Sequence, residues 1–229
     1  MSRAVHDMFS RIAGTYDRAN TILSAGVHSR WRKRAVQESG AKAGDSVLDC
    51  ATGTGDLALA FKRVVGPEGF VVGSDFCEEM LTLARRKSER LGLSVEWEKQ
   101  DVLDLPYRDD TFDIASIAFG IRNVDNPLAA LRGMARVVKP GGRVVVLEFG
   151  QPRRWIRPAF SLYSKIFLPL VGGVVSGEPA AYAYLQRTSS AFPCGDAFLR
   201  LMAEADVFRS SRCVLLNSGI AYLYIGVVE

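Results

Sequence analysis

The ten residues from Val47 to Asp56, Val47-Leu48-Asp49-Cys50-Ala51-Thr52-Gly53-Thr54-Gly55-Asp56, constrain this chain more than any others. An apolar run enters a turn of small residues, and a helical apolar pattern begins at Leu57. Buried strand, tight turn and helix start form the repeating unit of parallel α/β sheets. Glycine at 53 and 55 lets the backbone pass close to a ligand, and a helix start offers N–H groups that lack intrahelical partners. The turn is also acidic, with Asp49 before the glycines and Asp56 after them. Two carboxylates suit a ligand carrying positive charge better than a pyrophosphate. S-adenosylmethionine (SAM), with its sulfonium and ammonium groups, is such a ligand.

The same rhythm continues. Strands are expected near 46–51, 70–75, 94–99, 112–118 and 142–149, and helices near 55–65, 78–91 and 126–138. Lys139-Pro140-Gly141-Gly142 should end the third of these helices. Residues 4–40 look helical and form an N-terminal extension with a basic run at Arg30, Arg32, Lys33 and Arg34. Residues 152–193 break the alternation and read as an inserted helical cap, followed by a helix at 195–205. Two last strands, near 209–216 and 219–227, resemble an antiparallel pair closing the sheet. At 229 residues, one domain spanning 1–229 is expected.

Composition narrows the partners. A net charge of +4 is compatible with an anionic membrane surface and too small to argue for nucleic acid. The four cysteines are scattered without a C-x-x-C pair, so neither a metal site nor a disulfide framework is expected, and a reducing cytosol is the simpler setting. Residues 1–7 carry no apolar stretch of signal-peptide kind, and no apolar run reaches the roughly 20 residues that span a bilayer.

Ligands of open α/β sheets bind beyond the carboxyl ends of the strands, so cofactor contacts are sought there. Asp49, Thr52, Gly53, Thr54 and Gly55 follow the first strand. Asp75 ends the second strand, 20 residues after Gly55, the spacing at which an acidic side chain takes ribose hydroxyls, and Phe76 and Met80 come next. Asp101 and Val102 follow the third strand, where they could meet an adenine edge, and Ala118 and Phe119 follow the fourth. Gly53–Ala58 also fits the dinucleotide pattern G-x-G-x-x-A. Asp49 and Asp56 would repel a pyrophosphate, and the downstream order of Asp101, Leu105-Pro106-Tyr107, Phe112-Asp113 and Lys139–Arg143 favours SAM. The competing readings are a plain turn at the glycines and Asp75, and a helix N-cap at Asp101.

Three segments carry a closer likeness. Tyr16-Asp17-Arg18-Ala19-Asn20 through Leu23-Ser24-Ala25-Gly26-Val27-His28 to Trp31 matches Y-D-x-x-N…L-S-x-G-x-H-x-x-W. Phe119-Gly120-Ile121-Arg122-Asn123-Val124 is the second, and Arg136-Val137-Val138-Lys139-Pro140-Gly141-Gly142-Arg143 with Leu147-Glu148-Phe149 the third. Tyr182–Leu185 and Phe192-Pro193 continue the match. With these the chain resembles the ubiquinone/menaquinone biosynthesis C-methyltransferases over nearly its whole length. The resemblance implies a Rossmann-like class I SAM-dependent methyltransferase: a mostly parallel seven-stranded sheet with an antiparallel C-terminal strand and a helical cap. It implies SAM-dependent methylation of a ring carbon on a polyprenylated quinol, most often demethylmenaquinol to menaquinol, and carries cofactor roles to Thr54, Asp75, Asp101 and Val102. The chain departs from the pattern at Asp101-Val102 (often Asn-Ala), Ala118 (often Ser) and Gly150 (usually Ser), which leaves the quinone open.

The chemistry asks for an electron-rich acceptor. A methyl sulfonium attacks only a nucleophilic carbon, so the ring must be reduced and deprotonated at one hydroxyl. A phenol has a pKa of about 10, so a cation, a base or both must favour the phenolate. Arg122 is the first choice for the cation, Asn123 for holding the second ring oxygen, and His28 for the titratable group. Tyr16, Asp17, Asn20 and Phe119 are expected to line the acceptor pocket. The bland alternatives are a structural salt bridge for Arg122, a cap or core role for His28, packing for Tyr16, and helix capping for Asp17 and Asn20. Residues 152–171 mix arginines, Trp155 and apolar side chains, which suits a lid at the inner face of the membrane as well as an ordinary cap helix. The alternative acceptor is another small phenol or lipid, and the oligomeric state is left open.

Overall fold

The computed structural model describes residues 3–24, 26–156, 158 and 179–229. Helices α1 (Arg3–Leu23) and α2 (Val27–Ser39) precede strand β1 (Ser46–Cys50). Then follow α3 (Asp56–Val65), β2 (Phe70–Asp75), α4 (Glu78–Leu91), β3 (Glu96–Lys99) and β4 (Phe112–Ala118). A 3-10 turn at Ile121–Asn123 leads into α5 (Pro127–Arg136) and β5 (Val138–Phe149). Helices α6 (Pro179–Ala191) and α7 (Asp196–Ala205) come before β6 (Phe208–Leu216) and β7 (Ala221–Val228). The seven strands form one sheet in the order β3-β2-β1-β4-β5-β7-β6. β1 to β5 pair in parallel, and β7 runs antiparallel to both neighbours.

Alternation along the strands explains why both faces are covered. Val47, Val71, Ile114, Val145 and Leu147 share one core with Trp31, Ala35, Leu57 and Phe61 of α2 and α3. Leu48, Val72, Ala115, Ile117, Val144 and Val146 point to the other, against Leu131 and Met134 of α5 and Phe198 and Met202 of α7. Strands buried on both sides read as continuous apolar runs, as they do here. Truncating Leu48 or Phe61 to alanine would cost about 2–5 kcal/mol, because neither exposes surface and the cavity would persist.

Several expected boundaries shift, each for a visible reason. The helical stretch at 4–40 is two helices, divided at Gly26, whose φ of 74° is left-handed. β3 begins at Glu96, not 94, as a short charged edge strand, a form that resists pairing with other chains. α5 ends at Arg136 and β5 starts at Val138, earlier than expected, because Val137 O accepts from the N–H groups of Thr111 and Phe112 and draws the chain into the sheet. Lys139–Gly142 therefore lies within the β5 span, at a register shift. Of the expected cap, α6 and residues 152–156 and 158 are described, and 157 and 159–178 lie outside the described residues.

Candidate active site

The glycine turn joins β1 to α3 at the carboxyl edge of the sheet. Ala51, Gly53 and Gly55 have φ of 48°, 57° and 83°, so left-handed residues alternate with ordinary ones. The turn's N–H groups are largely used within the protein: Thr52 N donates to Ser74 O, Gly53 N to Asp75 Oδ2 and Gly55 N to Thr52 O. An added Cβ at Gly53 would meet nothing within 4 Å, whereas one at Gly55 would lie 2.4 Å from the Trp97 ring. The turn thus has an open side and a packed side. At Gly120, a Cβ would come 2.7 Å from the Ala51 Cβ, so the chain leaving β4 passes directly against the chain leaving β1.

Carboxylates brace this turn. Asp75, 5% exposed, accepts from Gly53 N at 2.8 Å and from Cys77 N at 2.9 Å, linking the ends of β1 and β2. Asp49 is buried at 1% exposure and accepts from Thr52 Oγ1 at 2.6 Å and Ser116 Oγ at 2.7 Å. Burial holds its pKa up at about 6, with the two hydroxyls working against that rise. A carboxyl with a raised folded pKa contributes stability below its unfolded value near 3.8, and loses it as pH rises through about 6. The free protein should therefore lose up to about 3 kcal/mol from this group between pH 4 and pH 7.5, and Asp49→Asn should flatten that segment. Urea unfolding of both proteins at the two pH values checks it; identical pH slopes would contradict it.

The picture of two open carboxylates is corrected here. Asp49 lies beneath the turn, and Asp56 pairs with Arg32 of α2 at 3.1 Å and Lys87 of α4 at 2.6 Å. Burial pushes the Asp56 carboxyl up, but the two cations outweigh it and leave the pKa below the usual carboxylate range. Lys87 Nζ also reaches Asp17 Oδ2 at 2.7 Å and Thr54 Oγ1 at 3.1 Å, and Thr54 Oγ1 donates to Asp17 Oδ1 at 2.5 Å. One ammonium thus joins α1, α4 and the glycine turn. His28 belongs to this group: Arg32, Asp56, Asp17 and Lys87 are the charges it feels, and Ser24 Oγ lies 2.5 Å from its Nδ1. Burial first, then Arg32, lowers the His28 pKa, which keeps the ring neutral at pH 7. Lys87→Met should free α1 from the turn, speeding proteolysis within residues 3–23 and weakening SAM affinity about 5- to 30-fold, as for loss of a charge-assisted contact of ~1–2 kcal/mol. Unchanged cleavage and affinity would remove Lys87 from this role.

A second group forms where β4 and β5 end. Arg122 is 6% exposed at its side chain, and its Nη1 lies 2.8 Å from Oε1 of Glu148, which is 1% exposed. The same Nη1 donates to the Phe119 carbonyl, and Phe149 N donates to Glu148 Oε1 at 2.7 Å. Burial raises the Glu148 pKa while Arg122 pulls it back. The Arg122 guanidinium sits 5.3 Å from the Phe149 ring centre, and Phe149, Phe119 and Trp31 pack as an aromatic trio. Arg122 Nε is buried without a partner among the described residues. Asn123 follows, 8% exposed, with its Oδ1 accepting from Tyr184 Oη at 3.1 Å.

The expected residues therefore fall into two neighbourhoods. Thr52, Gly53, Thr54, Gly55, Asp75, Asp17 and His28 gather around the glycine turn. Arg122, Asn123 and Phe119 gather at the end of β4, and no hydrogen bond of His28 to them is found among the described residues. Met80 is buried with Ala13 and Cys77, next to Phe76 and Tyr16, so Tyr16 packs between α1 and α4. Val102 is in the core and Asp101 Oδ1 accepts from Leu103 N at 3.0 Å, bracing its own turn. Ala118 is partly buried beside the Phe119–Phe149 pair, and Asn20 is partly buried on α1. Sequence reasoning did not single out Lys87, Glu148 or Tyr184. Lys87 sits seven residues after Met80 on the buried face of α4, and Glu148 interrupts the apolar run Val144–Leu147. A charge on a buried stripe was the available signal for both.

The glycine turn braced by Asp75, and the Arg122–Glu148 pair beside Phe119 and Phe149, both stand at the carboxyl ends of the strands, where ligands of open α/β sheets bind. Sheet order and the antiparallel β7 define a Rossmann-like fold, and the family and relatives that match make the chain a SAM-dependent C-methyltransferase. Residues 1–228 match the ubiE/COQ5 methyltransferase family, and the chain belongs to that family. It is 51% identical to the ubiquinone/menaquinone biosynthesis C-methyltransferase UbiE of Bdellovibrio bacteriovorus, over 98% of this chain and 96% of that one. Identity to the demethylmenaquinone methyltransferase of Thermus thermophilus is 46%, over 96% of this chain and 99% of the other. A SAM-dependent methyltransferase structure from Aquifex aeolicus overlays with a TM-score of 0.61 at 23% identity, covering 86% of this chain and 89% of that one. One from Thermotoga maritima gives 0.68 at 18%, covering 97% and 99%. At such identities these two bear on the fold alone.

Proposed function

We propose that this enzyme methylates a ring carbon of a polyprenylated quinol, demethylmenaquinol before others, and that residues 1–229 act as one methyltransferase domain. The observation that carries the reading is the Arg122–Asn123 pair beside the aromatic trio at the end of β4. SAM, when bound, supplies an electrophilic methyl group. Gly53, Thr54 and Asp75 hold the cofactor, with Asp49 and Thr52 bracing the turn from below and Asp101, Val102, Phe76, Met80 and Ala118 bounding it. Asp75, at the carboxyl end of β2 beside the glycine turn, is the acceptor for ribose hydroxyls. Phe119 offers a flat apolar wall to the acceptor ring. Arg122 donates to the ring oxygen as the phenol proton passes to water, and the hydrogen on the methylated ring carbon then leaves to water as a proton. Glu148 orients that guanidinium and, by neutralising it in part, makes the hydrogen bond rather than the net charge its main contribution. Asn123 holds the other ring oxygen, and neutral His28 stays with Asp17 at the cofactor's end.

An isotope-labelled methyl assay with demethylmenaquinone tests this. Transfer is expected only with a reductant present, because the oxidised ring is electron-poor. Equal transfer to the oxidised ring, or none to the reduced ring despite SAM binding, would overturn the quinol reading. The long tail argues for a lipid-facing cap at 152–171. Trp155, 72% exposed between exposed Arg154 and partly buried Ile156, supports it, and most of that segment lies outside the described residues. No helix among the described residues is long and apolar enough to cross a membrane. Flotation with anionic vesicles should be reduced by Trp155→Ala; failure of the parent protein to float would remove the membrane contact.

A further inference from the structure

Tyr184 lies on α6, far from β4 in sequence, yet its hydroxyl donates to Asn123 Oδ1 at 3.1 Å. The helix is docked there by independent contacts. Leu185 packs with Ile12 and Ala19 of α1, Gln151 Nε2 donates to Ser190 O at 3.0 Å, and Phe192 packs on Phe198 at 5.6 Å between ring centres. Arg187, one turn on, lies 5.6 Å from the Tyr184 ring centre. Burial raises the Tyr184 pKa, against the pull of Arg122 and Arg187, so the hydroxyl keeps its proton and remains a donor at neutral pH.

A primary amide can be turned either way, presenting oxygen or NH2 to a ligand. A phenol is a stronger donor than acceptor, so the Tyr184 hydroxyl donating to Oδ1 favours the orientation that turns the NH2 away from it. No hydrogen bond from the Asn123 Nδ2 is found among the described residues. A ring oxygen gaining negative charge needs donors, and an amide presenting its carbonyl would repel it. We propose that Tyr184 is a positioning residue, whose hydroxyl locks the Asn123 amide with its NH2 presented to the acceptor oxygen. The inference rests on the quinol reading above. It makes the cap part of the reacting centre: when α6 is docked the amide is set, and when α6 is away the amide can turn.

The test is a two-residue cycle on the full chain, assayed for methyl transfer to reduced demethylmenaquinone with SAM affinity measured in parallel. Tyr184→Phe keeps the ring and its packing and removes only the hydroxyl. It should lower kcat about 5- to 10-fold, as for the loss of one neutral hydrogen bond, while leaving SAM affinity unchanged. In an Asn123→Ala background the same substitution should have no further effect, because there is no amide left to hold. A purely structural tyrosine would add its loss to that of Asn123→Ala, and this additive result would overturn the proposal. So would a Tyr184→Phe enzyme with the parent kcat. Should the parent protein transfer no methyl to the reduced ring, the quinol reading fails and this inference with it. With an active parent, the effect of Tyr184→Phe bears on Tyr184 alone.

Discussion

Replacing Arg122 by alanine is expected to cut methyl transfer by at least ~100-fold and to destabilise the protein by about 3–5 kcal/mol. The two losses have different origins. Stability falls because Glu148, 1% exposed, is left as a buried carboxylate whose remaining protein donors are the Phe149 amide at 2.7 Å and the distant Arg122 amide at 3.4 Å. Transfer falls because the donor above the aromatic trio is gone. Replacing both partners by apolar groups of similar size separates these effects. Arg122→Met with Glu148→Met should recover most of the stability, since a buried pair seldom exceeds its hydrophobic substitute, yet stay inactive. Urea unfolding and single-turnover transfer on the three proteins give both readouts. An active double variant would remove Arg122 from the chemistry and leave it a structural residue.

Gly55→Ala should be the most damaging change at the cofactor end. The residue has φ of 83°, and its new Cβ would sit 2.4 Å from the Trp97 ring. Left-handed strain costs of order 1–2 kcal/mol and overpacking about 1–3 kcal/mol more. The turn must move to relieve the clash, and Gly53 N would then lose its bond to Asp75. A fall in SAM affinity of more than ~10-fold is expected alongside the lower melting temperature. Gly53→Ala is the control for strain, because its Cβ meets no protein atom. Comparable unfolding midpoints for the two variants would show that Trp97 yields to the added methyl.

The middle of the sheet was legible because β1 and β4 are apolar on both sides and the turn after β1 carries glycine. Strand–turn–helix at Val47–Leu57 and the alternation after it led to the observed order of elements, and the two last strands were expected as an antiparallel pair near 209–216 and 219–227. Boundaries were less legible where long-range pairing decides them. Nothing local to Val137 says that Thr111 and Phe112 will claim its carbonyl. At the site, glycines and strand-end acids stood out, because local geometry demands them. The partners of Asp56 did not: Arg32 is 24 residues before it and Lys87 31 after, and only the packing of α2 and α4 beside the turn joins them. The acidity of the turn was thus correctly noticed, but its charge is answered within the protein. Tyr184 lay inside a recognised motif and gained a role only once α6 was seen against Asn123.

In the proposed function, methyl goes to carbon, on a reduced ring, at the Arg122–Asn123 end of the site. The most direct measurement is magnetic resonance of the product formed from reduced demethylmenaquinone and SAM bearing an isotope-labelled methyl. A labelled methyl attached to ring carbon, with no methyl ether and no product without reductant, is the result expected. A methyl ether on the quinol oxygen would contradict it, and would make the Arg122 guanidinium a device for holding an oxygen nucleophile rather than for activating the neighbouring carbon.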